Sequence, residues 1–322
     1  FGRKRFIILG GAVGSVSYLV LTFINPITFT IPFVIILTIG HLGVVFLDVS
    51  ADAWAIEISI PEERGKINAA MFSGMFIGAA VAASLFGYVA LNISFYLMFQ
   101  LTALIIFLVI LYPLFVEARV VEKVKQKVSK VLIKEFKDKT VQLVSIFSPL
   151  SAISFGLLNV VVPLFLAIEF GKDIMEVGFF STASLIGTIV GAIIGGILAD
   201  CWGRKKSLYL FYSSNILIAI GFIFAGTWEM VVLLFILLGV VHGGAYSAYG
   251  ALLMDFTKPK VAGTQYSVYT SLGNAGEMFG NSVSGTLISS IGFIRLFLYS
   301  AWLYGPALIL LYLIRYKTRF NK

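Results

Sequence analysis

His41, Asp48 and Asp52 lie on one apolar stretch, the two aspartates 7 and 11 residues beyond the histidine. On a helix turning about 100° per residue, these spacings put all three within roughly 40° of one face. A histidine followed by two carboxylates on one stripe can pass protons or bind a cation. Asp52 and nearby Glu57 can equally well form salt bridges to Arg3 or Arg64, and His41 can hold a backbone carbonyl. A second stripe centres on Glu277. Thr270, Asn274, Asn281 and Ser284 share its face at spacings of 7, 3, 4 and 7 within the apolar stretch 264–290. A carboxyl placed there is a candidate carrier of a coupling proton, because ionisable groups at membrane depth face a cavity or a partner. The plainer alternative is a neutral acid hydrogen-bonded to another helix. His242, Tyr246 and Tyr249 form a third set at i, i+4 and i+7. Aromatic hydroxyls so placed can line a cavity and stack on a sugar or an aromatic ring, or simply pack.

Other chemistries are excluded by what is missing. There is no H-E-x-x-H zinc motif, no G-x-G-D carboxylate motif and no Walker loop. The single cysteine, Cys201, cannot build an internal disulfide framework and lies far in depth from either histidine. Neither an enzyme nor a bound metal or cofactor is expected. Gly187, Gly191 and Gly195 have the spacing of helix-packing notches; no strand precedes them, so they do not make a phosphate loop.

The elements that must position these residues are membrane spans. The chain is 59% hydrophobic and 12% charged, against about 25% charged in soluble domains, so the solvent around most of it must be lipid. A spanning helix takes about 20 apolar residues. Ten segments qualify: 6–24, 30–56, 67–90, 93–116, 141–167, 177–199, 207–226, 230–254, 264–290 and 296–314. With the N-terminus in the cytoplasm, every Lys and Arg except Lys172 and Arg295 falls on the cytoplasmic side, as the positive-inside rule requires. This supports a multi-pass protein of the cell membrane with both termini cytoplasmic. It also explains the net charge of +8 without nucleic acid.

The two ends of the chain repeat one another. Phe1-Gly2-Arg3-Lys4-Arg5 matches Trp202-Gly203-Arg204-Lys205-Lys206 at an offset of 201, and His41 matches His242 at the same offset. Pro61 and Gly65 match Pro259 and Gly263 at an offset of 198. Parallel repeats of this kind build two-bundle transporters. The expected division is a four-span bundle over 1–116, a basic cytoplasmic linker over 117–139 and a six-span bundle over 140–322. The linker reads as a surface helix or a plain solvated joint. The second basic cluster follows two spans and the first follows none, so two helices are expected before Phe1.

The stretch Gly196-Ile197-Leu198-Ala199-Asp200-Cys201-Trp202-Gly203-Arg204-Lys205 resembles the G-x-x-x-D-[RK]-x-G-R-[RK] loop signature of the major facilitator superfamily, departing from it at Cys201. Asp48-Val49-Ser50-Ala51-Asp52-Ala53-Trp54 is similar to the D-x-x-x-D-[AG]-W element of its muropeptide permease and acetyl-coenzyme A transporter subgroup. Ala262-Gly263-Thr264-Gln265-Tyr266-Ser267 resembles a further segment of that subgroup. The resemblance covers the whole chain as helices three to twelve. It implies an all-α fold and a monomeric permease that moves a small molecule by alternating access with protons as partner. In that loop a carboxylate at Asp200 is expected to cap the helix starting near Gly65. Gly203 permits the turn, and Arg204 bridges to a carboxylate; with Lys205, Asp52 and Arg3 these form a cytoplasmic gate, or else a static staple. An amphiphilic sugar-peptide or acyl-carrier cargo is implied. The competing readings are a generic sugar, peptide or drug exporter, and a non-transporting remnant or receptor of the same fold.

Overall fold

Long apolar runs broken by short polar turns fold here into helices, because lipid leaves every backbone amide to be satisfied within its own segment. The computed structural model describes residues 3–116, 128–258 and 261–314. Its helices are α1 (Lys4–Leu21), α2 (Thr30–Ile58), α3 (Arg64–Val81), α4 (Gly87–Asn92), α5 (Phe95–Phe115), α6 (Val128–Glu135), α7 (Lys139–Glu169), α8 (Ile174–Cys201), α9 (Arg204–Ile223), α10 (Trp228–Asp255), α11 (Ala262–Ile291) and α12 (Phe293–Leu313). No strand occurs among the described residues.

All ten expected spans are helical, with ends displaced by a few residues. The span expected at 67–90 is interrupted: α3 passes through a π-helical turn, Ala82–Phe86, before α4. Among the described residues, eight helices are long and apolar enough to cross a membrane. α3 falls short because Arg64, Lys66 and Asn68 crowd its first turns, and α11 because of the polar stripe around Glu277. Leu9, Ile105, Leu108, Leu217 and Ile309 are among the large apolar side chains left exposed, as suits helices facing acyl chains. Of the expected linker, 117–127 lies outside the described residues, and α6 forms its later part.

Local sequence explains the helix ends. Asp173 accepts from the Glu176 amide, and Glu176 reaches back to the Asp173 amide, so a capping box opens α8. Asp138 and Thr227 cap α7 and α10 more simply, their side chains accepting from the amides of Thr140 and Met230. The turn into α9 needs a positive φ at Gly203 (95°), which glycine adopts without a side-chain clash.

The chain divides into two compact units. Unit 1 comprises Phe1–Ser59, Gly78–Lys125 and Pro259–Thr264; unit 2 comprises Ile60–Ile77, Gln126–Lys258 and Gln265–Lys322. In unit 1, α1 packs on α2 and α5. Gly10 and Gly43 bring the backbones of α1 and α2 together, leaving no room for a Cβ on either. In unit 2, α8 and α10 make the most extensive contact. Gly187, Gly191 and Gly195 lie against the carbonyls of Ile236, Val240 and Gly244, while Gly239 and Gly243 lie against those of Ser184 and Thr188. This interlocking is the packing expected of the α8 glycines. A core of Leu157, Val161, Phe165, Phe222, Phe235 and Phe297 ties α7, α9, α10 and α12 into the same unit.

Candidate functional site

Unit 2 holds two polar regions. The first sits where α8 turns into α9. Asp200 is in the last turn of α8, and the Gly203 turn brings Arg204 back beside it. Asp200 Oδ1 accepts from the Gly65 amide at 2.8 Å and Oδ2 from the Lys66 amide at 2.9 Å. Both amides belong to the first turn of α3, where the helix dipole favours an anion. A Cβ at Gly65 would collide with the Gly196 carbonyl and with this carboxylate. Arg204 Nη1 donates to Asp200 Oδ1 and to the Ala199 carbonyl, both at 2.6 Å. Its Nε donates to Asp255 Oδ2 at 3.2 Å, and Arg64 Nη1 donates to Asp255 Oδ1 at 2.8 Å. Two arginines and two aspartates thus close a charge-balanced network, and none of the four side chains is more than 11% exposed.

The helix cap from Asp200 is the contact expected from the loop. Asp255 was not among the expected residues, although the repeat held its signal. At the offset of 198, Asp255 corresponds to Glu57, and at 201 Arg204 corresponds to Arg3. Arg3 Nε donates to Glu57 Oε1 at 2.8 Å, so each unit carries the same Arg-to-carboxylate pair. Asp52, grouped with Arg3 in the sequence reading, has no ion pair among the described residues. Lys205 does not join the network either: its Nζ donates to the carbonyls of Tyr312 and Ile314 at 3.3 and 3.1 Å, closing the end of α12.

The second region is at mid-helix. Glu277 lies at the middle of α11 and His242 at the middle of α10. Gly156 of α7 packs on the Glu277 backbone, and Gly276 and Gly280 pack on the carbonyls of Pro149 and Ile153. This close crossing of α7 and α11 holds Glu277 at the junction of two cavities. A narrow one of about 40 Å³ is lined by Tyr212, Tyr246, Tyr249, Thr270 and Asn274, among others. A wider one of about 310 Å³ is lined by Phe155, Asn159, Ser184, Thr188 and Phe235, among others. Glu277 and His242 belong to both walls.

His242 is wedged in place. The Phe155 ring stacks on it at an interplanar angle of 5°, and Tyr246 lies across it at 51°. Phe72 meets Tyr246 edge-on at 4.4 Å. Tyr249 Oη donates to the Tyr269 carbonyl at 3.4 Å. No Lys or Arg lines either cavity, and among the described residues no cation pairs with Glu277. The structure therefore brings together Glu277, His242, Tyr246, Tyr249 and Asn274 from the expected set. Asn281 shares the stripe but lines neither cavity; its Oδ1 is buried without a partner among the described residues. Ser284 spends its hydroxyl on the Gly280 carbonyl. His41 and Asp48 are exposed on α2 of unit 1, with Asp52 half-buried one turn beyond Asp48. No group of three His, Cys, Asp or Glu side chains suited to a metal lies among the described residues. The sequence reading missed Phe155, Tyr212 and Tyr304, since an aromatic in an apolar helix carries no signal of its own.

The sequence model of the Major Facilitator Superfamily matches this chain twice, over residues 1–149 and 144–322. AmpG 1 of Rickettsia conorii is 29% identical over 183 residues, which cover 55% of this chain and 43% of that protein. The anhydromuropeptide permease of Escherichia coli K12 is 25% identical over 344 residues, covering 100% of this chain and 68% of that one. The chain thus spans under half of the first relative and about two thirds of the second. The E. coli fucose:proton symporter has the same fold, with a TM-score of 0.82 at 14% identity over 98% of this chain and 85% of its own.

Proposed function

The chain belongs to the Major Facilitator Superfamily, and from that membership we propose that it is a secondary transporter working by alternating access, with Glu277 carrying the coupling proton. The observation that carries this reading is the position of Glu277: mid-helix, shared by two cavities, with neutral polar neighbours and no cation. A carboxyl so placed can change its protonation without breaking an ion pair. His242 and Asn274 supply neutral hydrogen-bonding groups beside it.

The wider cavity is the proposed place for part of the cargo, since ligand pockets begin at about 300 Å³. Its aromatic and hydroxyl lining, without cations, suits an uncharged ring. The name of the E. coli relative supports a cargo class for this proposal: an amphiphilic sugar-peptide of the anhydromuropeptide kind. The division into an N-terminal and a C-terminal bundle, the cytoplasmic placement of both termini and the monomeric state belong to the same proposal, as do His41, Asp48 and Asp52 as a second ionisable stripe. Asp200, Gly203 and Arg204 act as a latch between α8 and α3 that opens and closes once per cycle.

The test is uptake by proteoliposomes containing the whole protein, with labelled anhydromuropeptide, free sugars and free peptides as a panel. Accumulation of the sugar-peptide only under an inward proton gradient is the expected result. Accumulation independent of that gradient, or no accumulation of any solute, contradicts the proposal.

A further inference from the structure

Two buried polar atoms in the wall of the narrow cavity have no partner among the described residues. Asn215 of α9 and Tyr304 of α12 are each 1% exposed, and both line that cavity. Asn215 Oδ1 and Tyr304 Oη have no hydrogen-bond partner among the described residues. Ser154 lies against the Tyr304 hydroxyl, but its own proton goes to the Ser300 carbonyl at 2.6 Å. The Tyr304 ring is fixed by stacking on Tyr212, with centroids 5.7 Å apart. An orphaned acceptor and an orphaned hydroxyl facing one space are costly unless something small occupies it. The cavity of about 40 Å³ has room for a few waters at about 10–15 Å³ each, and none for a sugar ring.

We propose that the narrow cavity is a water chamber, anchored by Asn215 and Tyr304, through which Glu277 exchanges its proton. Water fits both anchors: it donates to Asn215 Oδ1 and bonds Tyr304 Oη as acceptor or donor. Those anchors and Glu277 line the same cavity, and its other titratable walls are His242 and the tyrosines 212, 246, 249 and 266. None of them is a cation-bearing Lys or Arg that would repel a proton in transit. Cargo then occupies the wider cavity on the other side of Glu277 and His242, so proton and cargo reach the same carboxyl from different spaces. This inference rests on Glu277 being the coupling group.

The test compares Tyr304→Phe, Asn215→Leu and the double variant with the wild type in proteoliposomes, using labelled anhydromuropeptide as the probe. Gradient-driven uptake is expected to fall roughly tenfold in each single variant, the effect of one lost hydrogen bond on a rate. Counterflow exchange stays within about twofold, the double variant is no worse than either single, and Asn215→Thr, which keeps an acceptor, recovers much of the loss. Unchanged gradient-driven uptake, an equal loss in counterflow, or singles whose losses multiply would each overturn the chamber. A melting temperature that rises in Tyr304→Phe would also overturn it, because that marks an empty cavity with an unsatisfied hydroxyl. A wild type indifferent to the proton gradient would instead sink the Glu277 reading, while the melting temperatures still report on the water.

Discussion

The two polar regions of unit 2 treat buried charge in opposite ways. At the α8–α9 turn, Asp200, Arg204, Asp255 and Arg64 satisfy one another in a closed network. At mid-helix, no Lys or Arg among the described residues lines either cavity beside Glu277. A paired charge is held in one state, because losing either partner strands the other in low dielectric. A carboxyl without a cation has two protonation states within reach. The difference separates a latch whose charges stay paired while it is closed from a carboxyl free to change its protonation in place.

Mutations can break or sharpen this contrast. The largest effect belongs to Arg204→Leu, which leaves the buried Asp200 with backbone amides but no cation and takes one of the two arginines from Asp255. It is expected to cost about 3–5 kcal/mol of stability, read as a lower melting temperature in detergent; a loss under about 1 kcal/mol would mean the network is ornamental. Gly195→Ala comes next, because its Cβ meets the Gly244 backbone. Overpacking there should cost about 1–3 kcal/mol, measured the same way, and a neutral result would show that α8 and α10 can separate freely. Glu277→Gln should change stability by less than about 1 kcal/mol, since no ion pair is lost. A melting temperature falling as far as that of Arg204→Leu would reveal a partner and erase the contrast. Smallest is Lys205→Ala, which removes a cation from the end of α12 and should cost about 0.3–1 kcal/mol.

Much of this was legible in the sequence. The ten spans followed from apolar run lengths, because lipid forces each run to close its own hydrogen bonds. Asp200 was legible as a helix cap because the loop signature fixes both its type and its place at a helix end. Glu277 stood out as the lone carboxyl in an apolar stretch. Asp255 was not singled out, since an acid at the end of a span reads as an ordinary boundary; only its repeat partner Glu57 could have revealed it. The role of Lys205 at the end of α12 depends on a contact between residues more than a hundred positions apart, which no local pattern encodes. The π-helical turn at Ala82–Phe86 lies in a run of small apolar residues without Pro to announce it. Asn215 is a polar residue inside an apolar run, but its missing partner and its cavity neighbour Tyr304 emerge only when α9 and α12 pack.

The most direct test of the central claim is the behaviour of Glu277→Gln in two transport modes, with the whole protein in proteoliposomes and labelled anhydromuropeptide as the solute. Gradient-driven accumulation should vanish while counterflow exchange continues near the wild-type rate, because exchange needs no net proton movement. Loss or survival of both modes together would contradict the assignment of Glu277 as the coupling group.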